Sequence, residues 1–111
     1  MNILFKNDKE RELYQNFSKL RKIYGEKLGK LITRRIQELE AFDSVGQLLD
    51  SKVGKGHFLK AEYKNCIALR LTSNYRLIIE PVYGEDTDFA HLDIYGLKIV
   101  TILKVEDYHG N

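Results

Sequence analysis

Apolar positions in the first forty residues recur every three to four places, the spacing of a helix that buries one face. Leu13, Phe17, Leu20 and Tyr24 form one such stripe, behind Asn7 and Asp8 as N-caps and the early acids Asp8, Glu10 and Glu12. Gly25 is a stop. A second stripe of Leu28, Leu31, Ile32, Ile36 and Leu39 carries a helix to about Phe42. Asn2 to Lys6 reads as a short edge strand, Ser44 caps a single turn through Leu48 and Leu49, and Ser51 to Gly56 reads as a loop. From His57 the period changes to two, predicting strands over His57 to Tyr63, Cys66 to Thr72, Tyr75 to Val82 and Leu97 to Glu106. Gly84 to Asp88 is a polar loop, and Phe89 to Tyr95 fits either an extra strand or an irregular excursion. Helices first and strands after predict an α+β fold: an N-terminal helical hairpin on one face of a small, mostly antiparallel twisted sheet.

The turn near Ser73 and Asn74 is constrained further. Ile67, Leu69 and Leu71 before it and Leu77 and Ile79 after it must face the same helices, which requires an odd loop such as Ser73-Asn74-Tyr75, with Asn74 left-handed. Arg70 and Arg76 then share the opposite face, where two guanidiniums make an anion site. A two-residue turn would instead put Arg76 on the core side, a costly place for an unpaired charge. The last strand is apolar on both faces at Ile99, Val100, Ile102 and Leu103, which predicts a central strand buried on both sides. It ends in Asp107, Tyr108 and His109, three groups able to exchange protons or donate hydrogen bonds. Alternation puts Asp107 and His109 on one face and Tyr108 on the other, so the three converge only if the chain bends.

With 111 residues, 43% hydrophobic and 31% charged, the chain is expected to form a single domain over 1–111 with one core. The lone Cys66 excludes an internal disulfide and reads as a small buried hydrophobe. No run is long enough to span a bilayer, and the first dozen residues lack a signal peptide's apolar stretch, so a soluble cytoplasmic protein without a membrane partner is expected. Three histidines and one cysteine show no metal-ligand spacing, so neither metal nor cofactor is expected. The net charge of +2 hides a split of +5 over residues 1–60 and −3 over residues 61–111. Lys19, Arg21, Lys22, Lys27, Lys30, Arg34 and Arg35 crowd one stretch against a single acid, Glu26. That run is either a solvated helix face or a surface for a polyanion or acidic partner.

The segments GHFLK (Gly56 to Lys60), ALRLTSNYRLII (Ala68 to Ile79) and ILKVEDYH (Ile102 to His109), in that order behind two helices, resemble the HigB-like host-killing toxins of the RelE/ParE superfamily. The resemblance covers nearly the whole chain. It implies a small cytoplasmic toxin of a type II toxin–antitoxin pair, a ribosome-dependent messenger-RNA endonuclease that blocks translation. The implied partners are a HigA-like helix-turn-helix antitoxin, the 70S ribosome and its message, with DNA reached only through the antitoxin complex. His57 falls on the family's catalytic histidine, Arg76 on the arginine of its N-x-Y-R hairpin, and Asp107, Tyr108 and His109 on its terminal D-Y-H. The chain departs from the family in its longer excursion between Val82 and Leu97, with Glu85, Asp86, Asp88 and Asp93, and in lacking the common aromatic before the second strand's core.

The residue chemistry is compatible with that activity. Cutting RNA without a metal needs a base for the 2′-hydroxyl proton, positive charge for the phosphorane and an acid for the 5′-oxygen. His57 and His109 can divide the proton transfers, imidazole being the side chain that titrates near neutrality. Asp107 can orient a histidine or act as base, Arg70 and Arg76 can grip the phosphate, and Tyr108 can stack on a base or donate a hydrogen bond. Lys60, with Lys22, Lys27, Lys30 and Arg34 on the helices, is the expected remaining RNA contact. The blander assignments are that His57 merely opens a strand, that the arginines pair with Glu62, Glu80 or Glu106, and that His91 is simply solvated. Two other functions suit the same fold: a ParE-like inhibitor of DNA gyrase without nuclease activity, and an inactive module that only binds antitoxin.

Overall fold

The computed structural model describes residues 1–108. Its strands are β1 (Asn2–Phe5), β2 (His57–Phe58), β3 (Ile67–Arg70), β4 (Tyr75–Pro81) and β5 (Ile99–Asp107), in the sheet order β1-β5-β4-β3-β2. Only the β1–β5 pair is parallel. The helices are α1 (Asp8–Tyr14), α2 (Phe17–Tyr24), α3 (Glu26–Ala41) and α4 (Val45–Ser51). Leu20, Leu28, Ile32, Ile36 and Leu39 of α2 and α3 are buried in one cluster with Ile67, Leu69, Leu77, Ile79, Val100 and Ile102 of the sheet. The α+β arrangement with a helical hairpin on one sheet face is therefore as the hydrophobic pattern requires, and β1 lies at an edge as expected.

Four local expectations are corrected. The first helical stripe belongs to two helices, because Asn16 takes an extended backbone and its side chain accepts from Lys19 N (3.3 Å), starting α2 afresh. The strand expected over His57 to Tyr63 stops after Phe58, because Ala61, Tyr63 and Asn65 adopt left-handed backbone conformations that close turns over Ala61 to Cys66. Leu71 and Tyr75 close the β3–β4 hairpin, so its loop has the expected three residues, but they are Thr72-Ser73-Asn74. The Leu71 and Thr72 N–H groups both donate to Tyr75 O, and Thr72 Oγ1 accepts from Asn74 N and Tyr75 N. The threonine hydroxyl shapes the turn, and Asn74 is not left-handed. Lastly, β5 is flanked on both sides, but the middle strand is β4, buried on both faces at Leu77, Ile78 and Ile79.

The Phe89 to Tyr95 segment is irregular, two short 3₁₀ turns at Phe89–His91 and Ile94–Gly96. Two of its acids make those turns: Asp88 Oδ1 accepts from Ala90 N and Asp93 Oδ1 from Tyr95 N. Tyr95 fastens the excursion to α4. Its hydroxyl donates to Asp50 Oδ2 (2.6 Å), its ring lies where a side chain on Gly46 would be, and Val45 N donates to Leu97 O (2.9 Å). The α4 helix itself is capped by Ser44, whose hydroxyl accepts from Gln47 N.

The sheet face away from the helices, hereafter the open face, carries a second small cluster of Cys66, Ala68 and Ile78, with Leu59, Tyr63 and Leu103 against it. Burial, and secondarily the Glu80 carboxylate, push the Cys66 thiol up to about 11. Cys66 is thus the buried small residue expected, and its thiol is a poor nucleophile at neutral pH.

Two outcomes follow from this packing. An alanine at position 46 would place its Cβ 2.2 Å from the Tyr95 ring. Overpacking strain of about 1–3 kcal/mol outweighs the roughly 1 kcal/mol that alanine gains in a helix. Gly46→Ala is expected to lower the thermal midpoint and speed amide exchange at Val45, whereas a stabilised variant with Val45 still protected would contradict the docking described. Cys66 in the folded protein should react with an aromatic disulfide at pH 8 about 10²-fold more slowly than in the denatured chain. Equal rates would show that the thiol is not held as described.

Candidate functional site

Partners in register on adjacent antiparallel strands share a face, so the pairing fixes what stands on the open side. Arg70 of β3 pairs with Arg76 of β4, and Arg76 pairs with Glu106 of β5. His57 of β2 pairs with Ala68, two residues before Arg70 on the same face. Beyond β5, the Tyr108 N–H donates to Asn74 O (2.9 Å), holding the tyrosine against the hairpin. The result is a cavity of about 270 Å³ lined by Gly54, Lys55, His57, Ala68, Arg70, Arg76 and Tyr108. A larger hollow of about 510 Å³ opens between the α2–α3 turn and the β3–β4 loop, but it contains no histidine or arginine.

Each side chain is held by identifiable contacts. Arg76 donates from Nε to Glu106 Oε2 (2.6 Å), and its guanidinium carbon lies 4.8 Å from the centre of the Tyr108 ring. The pair is largely sheltered, with side-chain exposures of 23% for Arg76 and 19% for Glu106. Largely removed from water, a charge-assisted bond of this length fixes geometry far better than a surface ion pair. Arg70 is exposed, but its backbone is tied down: Arg35 of α3 donates from Nη2 to Arg70 O (2.9 Å) and from Nη1 to Glu38 Oε1 (2.7 Å). Gly54 runs against the same strand. A Cβ there would stand 3.2 Å from Arg70 N, a tight contact, and its φ of +61° is strained for a residue with a side chain, so both the space and the backbone favour glycine.

His57 Nδ1 lies 3.0 Å from Lys55 O. A carbonyl oxygen can only accept, so Nδ1 carries the proton in this bond and the neutral ring keeps its lone pair on Nε2. The imidazole is therefore oriented as a base through Nε2, or as an acid once protonated. Lys55 is itself left-handed and is among the residues that line the cavity. Three basic residues, Lys55, Arg70 and Arg76, thus line the cavity, with the Glu106 carboxylate paired to Arg76 beside it, a balance that favours an anionic ligand.

Of the expected site residues, His57, Arg70, Arg76 and Tyr108 come together here. Asp107 does not line the cavity: it pairs with Tyr75, whose ring packs on the helix-side core, so strand alternation turns it to the other face. His109 lies outside the described residues. Lys60 is exposed at the start of the irregular 59–66 stretch, outside the cavity's lining. Lys22 and Lys27, with Lys30 and Arg34, are exposed on α2 and α3, the layer across the sheet from the cavity. They form a separate basic surface. The expected cross-strand pairing of an arginine with Glu106 is also present, so Arg76 both makes an ion pair and lines the site.

Lys55 and Glu106 are additions. The former was legible as a lysine between two glycines, and the latter as the strand position alternating with Tyr108. His91 is exposed, bonds to Asp88 Oδ2 (2.9 Å) and is not among the residues that line the cavity. No group of three or more His, Cys, Asp or Glu side chains among the described residues could hold a metal ion, and no helix among them is long and apolar enough to cross a membrane.

No protein-family model matches the chain, and no curated protein matches it. Solved structures do. A YoeB/ParE toxin from Agrobacterium tumefaciens superposes with a TM-score of 0.57 at 11% identity, over 98% of this chain and 100% of that one. The YoeB–YefM complex from Staphylococcus aureus contributes a chain with a TM-score of 0.54 at 19% identity, over 98% of this chain and 97% of that one. Over its described residues the chain thus has the fold of the YoeB/ParE toxins.

Proposed function

We propose that this protein is the toxin of a type II toxin–antitoxin pair, of RelE/ParE type and HigB-like in its terminal residues, and that it cuts messenger RNA on the ribosome without a metal. The observation that carries the proposal is the meeting of His57, Arg70, Arg76 and Tyr108 in one cationic cavity. The fold shared with toxins, one of them solved in a complex named for two components, supports the same reading and suggests an antitoxin partner, here a helix-turn-helix protein encoded nearby.

In the proposed reaction the scissile phosphodiester lies between Arg70 and Arg76, whose planar forks suit phosphate oxygens. His57 Nε2 takes the proton from the 2′-hydroxyl, and the 2′-oxygen attacks phosphorus as its bond to the 5′-oxygen breaks. The arginines and Lys55 stabilise the charge gathering on the phosphorane. A proton must reach the departing 5′-oxygen, and His109, one residue beyond Tyr108, is the proposed donor. The products are a 2′,3′-cyclic phosphate and a 5′-hydroxyl. Tyr108 stacks on a neighbouring base or donates to the phosphate. Asp107, turned to the other face, is left without a direct role. Lys22, Lys27, Lys30 and Arg34 lie on the far layer and are proposed to grip ribosomal RNA, with Lys60 flanking the message.

The test is cleavage of a message on primed ribosomes, with relief when the antitoxin is supplied. His57→Ala is expected to slow cleavage by about 10²- to 10⁴-fold and Arg76→Ala by about 10²- to 10³-fold. Lys22→Ala and Lys30→Ala should instead weaken a salt-sensitive affinity and leave the bound rate nearly unchanged. Parental rates for both His57→Ala and Arg76→Ala would overturn the site. Inhibited DNA supercoiling without RNA cleavage would assign the protein to the gyrase-poisoning alternative, and absence of growth arrest on expression alone would favour an inactive antitoxin-binding module.

A further inference from the structure

Glu106 is not among the residues that line the cavity, whose charged side chains are all basic, but it pairs with Arg76, which is, and so offsets part of the attraction for a phosphate. Its geometry gives it a different purpose. Arg70, Arg76 and Glu106 occupy one row across β3, β4 and β5. Two guanidiniums directly opposite each other repel, and without restraint Arg76 would swing away from Arg70. Two contacts prevent this. Glu106 Oε2 accepts from Arg76 Nε at 2.6 Å, and the guanidinium lies over the Tyr108 ring at 4.8 Å. The hydrogen bond restrains the rotation of the guanidinium, and the cation–π contact with the ring holds it near Tyr108. The bond to Glu106 uses Nε and leaves the Nη1/Nη2 edge, the fork that fits two phosphate oxygens, to be supplied to the cavity.

We infer that Glu106 is a positioning residue: it holds the Arg76 guanidinium against Tyr108 so that its terminal fork is presented, beside Arg70, to an RNA phosphodiester. The phosphodiester part of this inference rests on the function proposed above, whereas the restraint on Arg76 does not. What the site requires of position 106 is an acceptor for the Nε–H at this distance. A neutral amide oxygen can provide it, so Glu106→Gln should preserve the restraint and Glu106→Ala should abolish it.

The experiment compares the full-length parent with Glu106→Gln and Glu106→Ala, each checked for an unchanged thermal midpoint, in three readouts. In protein labelled with ¹⁵N-arginine, the Arg76 Nε–H should give a sharp, slowly exchanging signal in the parent and in Glu106→Gln, and should be lost to solvent exchange in Glu106→Ala. In cleavage of ribosome-bound message, Glu106→Ala should lower kcat by about 10- to 100-fold with KM changed less than about threefold, and Glu106→Gln should stay within about threefold of the parent. A non-cleavable 2′-O-methyl trinucleotide should shift the Arg76 signal in the parent and in Glu106→Gln.

The inference is overturned if Arg76 Nε–H remains protected in Glu106→Ala, or if that variant cleaves at the parental rate. It is also overturned if Glu106→Gln is as impaired as Glu106→Ala, because charge rather than the hydrogen bond would then be decisive. A parent that cuts no message overturns the nuclease reading alone. The Arg76 signal, with its response to the trinucleotide, still decides the role of Glu106, and no loss of protection in Glu106→Ala would reject it independently.

Discussion

The register of the β3–β4 hairpin is the constraint on which the site depends. Leu69 faces Leu77 and Ile67 faces Ile79 on the helix side, all four fully buried, and this leaves Arg70 opposite Arg76 on the other face. Side chains alternate strictly along a strand, so a slip of one residue would drive a guanidinium into the helix-side core while exposing leucines. The penalty for burying an unpaired charge exceeds anything a different turn could return. The cationic pair is therefore specified by the hydrophobic core beneath it. The three-residue loop, with its Thr72 hydroxyl accepting from two backbone N–H groups, is the local device that permits the odd parity.

Other elements complete the cavity from the sides. The α4 helix and the tight turn through Gly54 bring Lys55 and His57 to the edge of β3, and Arg35 from α3 fastens the Arg70 backbone from the opposite layer. On the far side β5 carries Glu106 and Tyr108 past the hairpin loop. Four separate stretches of chain thus contribute to one small volume. That arrangement suits a reaction needing a proton acceptor and positive charge at fixed separation around a single bond, because little reorganisation is left for the reacting state. The basic helices, on the other layer, are suited to holding a large polyanion without entering the chemistry.

Much of this was legible because periodicity and parity are robust. The change from helical to alternating period separated the layers, and the apolar positions Ile67, Leu69, Leu77 and Ile79 demanded an odd loop and a shared face for Arg70 and Arg76. What was hidden depended on local backbone competition. Asn16 interrupts a continuous apolar stripe by capping a new helix, and the left-handed Ala61, Tyr63 and Asn65 end a strand that alternation alone would extend. Register within the hairpin was also beyond parity: loops at residues 72–74 and 73–75 keep the same faces, and the Thr72 hydroxyl selects the former. Asp107 shows the opposite case. Alternation already opposed its convergence with Tyr108, and the pairing with Tyr75 upholds that objection over the terminal motif's appeal.

The central claim is that the open-face groups cut an RNA strand through its own 2′-oxygen. The most direct measurement is to programme ribosomes with a message carrying a single 2′-O-methyl group at the nucleotide whose 3′-phosphodiester is cut, beside an unmodified message, and to identify the new ends. The account predicts that the unmodified message yields a 2′,3′-cyclic phosphate and a 5′-hydroxyl, while the methylated position is left intact. Cleavage at the methylated position, or ends bearing a 5′-phosphate, would contradict it.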